Sequence, residues 1–214
     1  MKCISRLVFH GLAVVACIAC ARPAAAVVTV YDNLSNGNNG FFGIGASNWI
    51  GERFKSDATN LLLTDVTMRF STPQPGPYSL SLYSDAAGVP GVLLADLFTG
   101  TSANGDVHYS TNALTLPSTN YWIVASVPVG GVINTGWGTT STLSGTGTGF
   151  VPLVAMSTNQ GASWTTRGDV AQQMRVLADV PEPTTAALLG FAALSLLAPR
   201  RHRKDMRGVT HHSD

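Results

Sequence analysis

The sequence predicts an all-β protein: a single β-sandwich or jelly-roll-like domain over residues 27–178, with an N-terminal signal helix and a C-terminal single transmembrane helix. Three observations predict it. Residues 27–182 hold 19 glycines, 19 threonines and 15 serines, a turn- and strand-forming composition without long helical periodicity. Several segments alternate apolar and polar side chains with period two. Turn-forming clusters recur at roughly ten-residue intervals, the spacing of a sandwich or jelly roll. A propeller would need a repeat of about 40–50 residues, and none is visible.

The elements follow in order. Residues 27–31 form a first strand, and residues 33–45 a polar, Gly-rich loop. Residues 49–54 form the next strand. Then Leu62, Thr64, Val66, Met68 and Phe70 alternate with Leu63, Asp65, Thr67 and Arg69, a clean two-faced strand. The prolines at 73, 75 and 77 break the chain. Tyr78, Leu80 and Leu82 alternate with serines, residues 86–91 turn, and residues 92–99 return. A polar stretch around Asn104, Gly105 and Asp106 leads to a short strand at 107–110. Residues 121–127 are a strongly apolar strand, residues 134–149 are Gly/Ser/Thr-rich and irregular, and residues 151–157 and 171–177 close the set. The reading gives roughly eight to ten short strands.

Both ends read as targeting segments. In residues 1–26, Lys2 and Arg6 form a positive n-region, residues 7–21 an apolar stretch, and Ala24 and Ala26 the small residues of a signal peptidase site, so the mature chain starts at Val27. Val14-Val15-Ala16-Cys17 also loosely fits a bacterial lipobox, a competing reading that would lipidate Cys17. All three cysteines, Cys3, Cys17 and Cys20, lie in this segment. The mature domain therefore has no disulfide framework, thiol nucleophile or Cys-based zinc site.

At the other end, residues 179–204 run from Pro181, Glu182 and Pro183 through an apolar stretch at 184–198 to the basic cluster Arg200, Arg201, Arg203 and Lys204. The stretch is short for a comfortable span of about 20 residues. The basic cluster acts as a membrane stop signal that keeps this end in the cytoplasm by the positive-inside rule. Residues 205–214 are then a cytoplasmic tail, and the domain lies outside.

Motif, short apolar helix and basic cluster together resemble the PEP-CTERM sorting signal of Gram-negative bacteria. The resemblance implies recognition by an exosortase, removal of the tail, and release or attachment at the cell surface. An ordinary single-span anchor fits the same residues physically. In the domain, Ser79 to Asp85 followed by Gly88-Val89-Pro90-Gly91, together with Tyr121-Trp122-Ile123-Val124, Gly136-Trp137 and Ser163-Trp164, resembles the choice-of-anchor R family of exported β domains. That resemblance implies an extracellular place and brings no catalytic set.

Charge and chemistry narrow the function classes. Residues 27–182 carry five basic and ten acidic side chains, so there is no basic patch and nucleic acid is excluded as a partner. His108 is the sole histidine between residues 27 and 182, and no Gly-x-Ser-x-Gly elbow accompanies it, so no catalytic residue is assigned. Zinc is excluded by one His without Cys, and no metal ligand is assigned. Calcium is the one ion that the oxygen-rich group Asp32, Asn33, Asn36, Asn38 and Asn39 admits, although the spacing matches no known calcium loop and these are also plain turn residues.

Glu52 and Asp57 are the acid pair nearest an aromatic residue. Beside Arg53 and Lys55 they read as a solvated, ion-paired strand end; the competing reading is a glycoside hydrolase pair. Trp49 and Trp122 sit in apolar strands and read as core. Trp137 and Trp164 sit in Gly/Ser/Thr-rich stretches and have two readings: rings that cap the core, as tryptophan commonly does, or exposed rings that stack on a ligand such as a sugar.

The expectation is a non-enzymatic, exported protein. It meets signal peptidase and exosortase during export, passes through the inner membrane, and contacts extracellular polysaccharide or serves adhesion. The alternatives are a carbohydrate-active hydrolase and a simple membrane-anchored envelope protein.

Overall fold

A segment apolar on every residue cannot sit at a sheet edge facing water on one side. Tyr121 to Ala125 is such a segment, and in its strand, Asn120–Ser126, every residue from Tyr121 onward is buried. It forms a central strand of one of two antiparallel sheets in a computed structural model, which describes residues 25–71, 74–102, 105–128 and 135–181. Thirteen strands are found among these residues: β1 Ala26–Asp32, β2 Gly40–Ile44, β3 Trp49–Lys55, β4 Leu61–Phe70, β5 Gln74–Asp85, β6 Pro90–Ser102, β7 Gly105–Thr115, β8 Asn120–Ser126, β9 Thr135–Thr140, β10 Val154–Ser157, β11 Thr165–Arg167, β12 Ala171–Gln172 and β13 Met174–Val180. The chain from Ala25 to Pro181 is one compact unit.

The first sheet runs β1-β13-β4-β9-β12, with β7 on the free side of β4 and β2 on β9. The second runs β11-β10-β3-β8-β5-β6. The two sheets share a single apolar core. Val30, Leu61, Met68, Trp137 and Val176 come from the first sheet, and Ile50, Phe54, Leu80, Leu82 and Ile123 from the second. The all-β sandwich expected from composition and turn spacing is the architecture found. The signal helix, Ala24, the apolar stretch at 184–198, and Glu182, Pro183, Arg200, Arg201, Arg203 and Lys204 lie outside the described residues.

Several strand assignments change. Residues 33–45, read as a loop, contain β2, and residues 134–149, read as irregular, contain β9. Both carry glycines where they pair with each other, Phe42 opposite Trp137 and Gly43 opposite Gly136, and small residues allow that close approach. The closing strand at 171–177 is broken at Gln173 into β12 on β9 and β13 on β4. The strand at 61–70 does not keep one phase. Leu61 and Leu63 point inward, the register shifts between Leu63 and Asp65, and Val66, Met68 and Phe70 take over. A bulge of this kind moves every later side chain to the opposite face, so strict alternation reads the first half of β4 inside out.

β1 and β13 pair from Ala26 opposite Val180 to Asp32 opposite Arg175. Ala26 of the expected signal peptidase site thus lies beside Val180, and Pro181 follows it, exposed, at the same end of the sheet.

Candidate functional site

In a sandwich, the inward side chains of each strand make the core and the outward ones are normally polar. On β3 the inward residues are Ile50, Glu52 and Phe54, leaving Trp49, Gly51 and Arg53 outward. The register places Gly51 opposite Val124 and Ala155, and Arg53 opposite Trp122, which in turn faces Tyr83 of β5. The outer face of the second sheet therefore carries a separate apolar cluster. Trp122, Val124 and Ala155 are buried, and Trp49, Tyr83, Leu153 and Trp164 pack against them, half-buried.

Two devices cover the centre of this face. Asp85, at the end of β5, accepts the Trp122 indole N–H at 2.8 Å and the Gly88 amide at 3.1 Å, so the β5–β6 turn lies over Trp122. Gly51 leaves the space that this needs: a Cβ there would stand 3.3 Å from the Trp122 ring, 3.4 Å from Val124 and 3.5 Å from Pro90. The Arg53 guanidinium lies 6.0 Å from the Trp122 ring centre, at cation–π range.

The second device is the segment between β10 and β11. Ser157 Oγ accepts the amides of Asn159 and Gly161 at 3.3 and 2.8 Å, and Asn159 Oδ1 accepts the amide of Ser163 at 2.9 Å. These bonds fold Gly161 onto Trp49. Its φ of +82° favours glycine, and a Cβ would stand 2.8 Å from the Trp49 ring and 3.5 Å from Trp164. Trp49 and Trp164 therefore flank one glycine at the edge of the face. The indole N–H of Trp49 is buried and meets no acceptor.

Next to Trp49 an open groove of about 200 Å3 lies where β2 of the first sheet approaches β3 and β10 of the second. Phe41, Phe42, Gly43, Asn48, Trp49, Ile50, Met156, Ser157 and Thr158 line it.

The structure redistributes the sequence-predicted site residues. Trp164 is half-buried on the outer face. Trp137 is not exposed: it is fully buried in the inter-sheet core, and its N–H donates to the Gln173 carbonyl at 2.9 Å. The Gly-rich context that suggested a loop is instead the β2–β9 pairing. Trp49, read as core, is half-buried at the rim of the outer cluster, and Trp122 is buried under the β5–β6 turn rather than between the sheets. Tyr83 went unread, yet it occupies the polar phase of the Ser79–Ser81 alternation, which is the signal for an outward aromatic.

Glu52 is not a solvated strand end. It is fully buried, and its carboxylate oxygens accept the Tyr31 hydroxyl and the Gln172 amide, both at 2.8 Å. Asn33 completes the group: its Nδ2 donates to Tyr31 Oη at 3.3 Å and to the Gln172 carbonyl at 3.0 Å. Burial pushes the Glu52 carboxyl up to about 8, against the opposing pull of the hydrogen bonds from Gln172, Tyr31 and Leu153 and of the Arg53 charge. Burial, with Glu52 second, pushes the Tyr31 hydroxyl well above the usual phenol range. Asp57 is half-buried, and its Oδ1 accepts the adjacent Ala58 amide at 2.6 Å. The carboxyl of Glu52 faces Tyr31 across the core, so it does not form an open cleft with Asp57.

On the outer face of the first sheet, His108 Nδ1 lies 2.9 Å from Thr67 Oγ1 and 3.6 Å from Asp65 Oδ2. Both partners crowd one ring nitrogen, whereas a triad places the base between nucleophile and acid. The oxygens proposed for calcium are largely engaged. Asp32, Asn33, Asn38 and Asn39 accept the amides of Leu34, Met174, Gly40 and Ser141 at 2.8–3.0 Å. Among the described residues no group of three or more His, Cys, Asp or Glu could hold a metal ion.

No family model matches the chain, and no curated protein matches it. A solved structure of infectious bursal disease virus, Gx strain, is similar over 82% of this chain at 14% identity and a TM-score of 0.22. This chain spans 49% of that one.

Proposed function

We propose that this is an exported, non-enzymatic protein that is sorted by an exosortase to the cell surface or extracellular matrix and contacts polysaccharide there. The sorting part is supported by the order of Pro181, Glu182 and Pro183, the apolar stretch and the basic cluster. The polysaccharide part is carried by one observation: Trp49, Tyr83 and Trp164 remain half-exposed together on one outer sheet face. Aromatic rings held in that way offer apolar and CH–π contact to sugar rings. The burial of Glu52 argues against the hydrolase alternative, because a general acid must reach its substrate.

The test is the mass and cellular fraction of the protein in its native host, with and without alanine at Pro181, Glu182 and Pro183. A wild-type product starting at Val27, ending near Pro181 and lying outside the cell, with the triple variant held in the inner membrane, is the expected result. A wild-type product that keeps Arg200 to Asp214 would instead establish the simple membrane-anchored reading.

A further inference from the structure

We propose that the end of the sandwich holding Ala26 and Pro181 rests on a lipid bilayer, with an apolar rim of Val27, Leu62, Leu114 and Leu116 set among the headgroups. This goes beyond the sorting reading. It rests only on what that reading shares with the simple-anchor alternative, that residues 184–198 enter a membrane. The first support is where the exposed apolar side chains lie. Scattered singly, such residues are normal on a protein surface. Here they gather. Among the described residues eight large apolar side chains stand exposed, and six of them lie at or near strand ends on one end of the sandwich: Val27, Val92, Leu93, Leu94, Leu114 and Leu116.

The strand register brings them together. Val27 lies opposite Asp179, Asp179 opposite Leu62, and Leu62 opposite Leu114, one row across β1, β13, β4 and β7. At about 4.8 Å between strands the row is about 14 Å wide. The adjacent residues Ala178, Leu63 and Ala113 are buried in the core, so the row itself faces outward. Leu116 follows in the turn to β8. β6 starts at the same end, because Pro90 pairs with Asp85 and Ser84 with Tyr121, so Val92 to Leu94 extend the rim onto the second sheet. The other two exposed side chains lie at the opposite end. Phe41 pairs with Gly138, whose carbonyl accepts the Gln173 amide just before β13. Leu143 stands between Thr142 and Ser144, whose carbonyls accept Asn36 Nδ2 just after β1.

The second support is the tether. Pro181 is exposed at the rim, directly after the Ala26–Val180 pair. The apolar stretch starts at Thr184, at most about 11 Å further along an extended chain. Read as a helix, its 15 residues reach about 22 Å, against about 30 Å of hydrocarbon. A short span thins the bilayer locally or draws its flanks inward. Either brings this end of the sandwich to the headgroup layer, where exposed valine and leucine leave water. The third support is charge. The strands bring Asp57, Asp85 and Asp179 to this end against Lys55, so anionic headgroups do not attract it and the contact is apolar.

The full chain, with Cys3, Cys17 and Cys20 changed to serine, is labelled with nitrobenzoxadiazole at Leu116→Cys or, at the opposite end, at Leu143→Cys. It is reconstituted in phosphatidylcholine vesicles whose lipids carry a nitroxide high on the acyl chain. Quenching at 116 should exceed that at 143 at least about threefold and should persist in high salt. Leu114→Gln with Val92→Gln, both at well-exposed positions, should cut the quenching at 116 at least about twofold. Equal quenching at 116 and 143 in vesicle-bound chain would overturn the proposal. So would quenching at 116 that ignores the double substitution, because the tether alone would then hold the label near the lipid. A label at 116 that leaves water as protein concentration rises, without quenching, would assign the rim to a second copy instead. These three results leave the sorting reading standing, since that is decided by the mass of the product. A chain that does not float with the vesicles would remove the membrane span and this rim together.

Discussion

Replacing Glu52 by glutamine should abolish a pH dependence of stability that its buried carboxyl imposes on the fold. The carboxyl is raised from 4.5 to about 8 in the folded chain, mainly by burial. The folded state therefore binds this proton more tightly than the unfolded chain does. Stability from this group is fully present below pH 4.5 and is lost as the pH rises towards 8, because charging the carboxylate must then occur inside the core. Each tenfold gain in proton affinity on folding corresponds to about 1.4 kcal/mol, so the full window is of order 5 kcal/mol, with a slope near 1.4 kcal/mol per pH unit. That is a large part of the about 5–15 kcal/mol that holds a domain folded.

The assay is urea unfolding followed by tryptophan fluorescence at pH 5, 6, 7, 8 and 9. Wild type should lose stability steadily from pH 5 to 8 and level off above. Glu52→Gln should remove that slope. Its amide can still accept from the Gln172 amide and donate to Tyr31, so its cost at pH 5 should stay near 1 kcal/mol. Glu52→Ala removes both partners and leaves a void, so it should cost about 3 kcal/mol even at pH 5. A wild-type curve flat between pH 5 and 8 would refute the reasoning. It would mean that the hydrogen bonds from Tyr31, Gln172 and Leu153 outweigh desolvation and keep the carboxylate charged in the core. A slope that persists in Glu52→Gln would assign the titration to another group.

Two further substitutions test the placement of the aromatic residues. Trp137→Ala should cost about 3–5 kcal/mol in urea unfolding, because it empties a fully buried site and leaves the Gln173 carbonyl with the Arg69 amide alone; a cost under about 1 kcal/mol would return Trp137 to the surface. Gly161→Ala should cost about 1–3 kcal/mol and red-shift the tryptophan emission, because φ is +82° and the new methyl lies 2.8 Å from the Trp49 ring; an unchanged spectrum would show that the loop does not rest on that indole.

The parts of the fold that were legible in the sequence are those where one physical rule acts alone. Tyr78, Leu80 and Leu82 alternate with serines, and they face the core as the alternation requires. The run from Tyr121 is apolar at every position, and it is a central strand. Legibility failed where a second constraint overrode the first. The bulge in β4 changes the phase between Leu63 and Asp65, and nothing in the residues there marks an extra residue. Gly136 and Gly138 signal a loop by composition, but in β9 they are the small residues that let β2 and neighbouring groups come close: a Cβ at Gly136 would stand 2.6 Å from Phe41. Glu52 carries charged neighbours in sequence, but strand alternation sends Arg53 out and Glu52 in, where Tyr31 waits from a segment 21 residues away.

In the candidate site the same competition of constraints goes one step further. A strand apolar on both faces needs cover on its outer face as well as its inner one. Trp122 and Val124 obtain it from the β5–β6 turn and their neighbours, and that accounts for their complete burial. The need for cover does not account for Trp49, Tyr83 and Trp164, which add apolar surface at the margin of the cover and leave part of it in water. The half-exposed rings around this covered centre are the observation on which the proposed contact with polysaccharide rests.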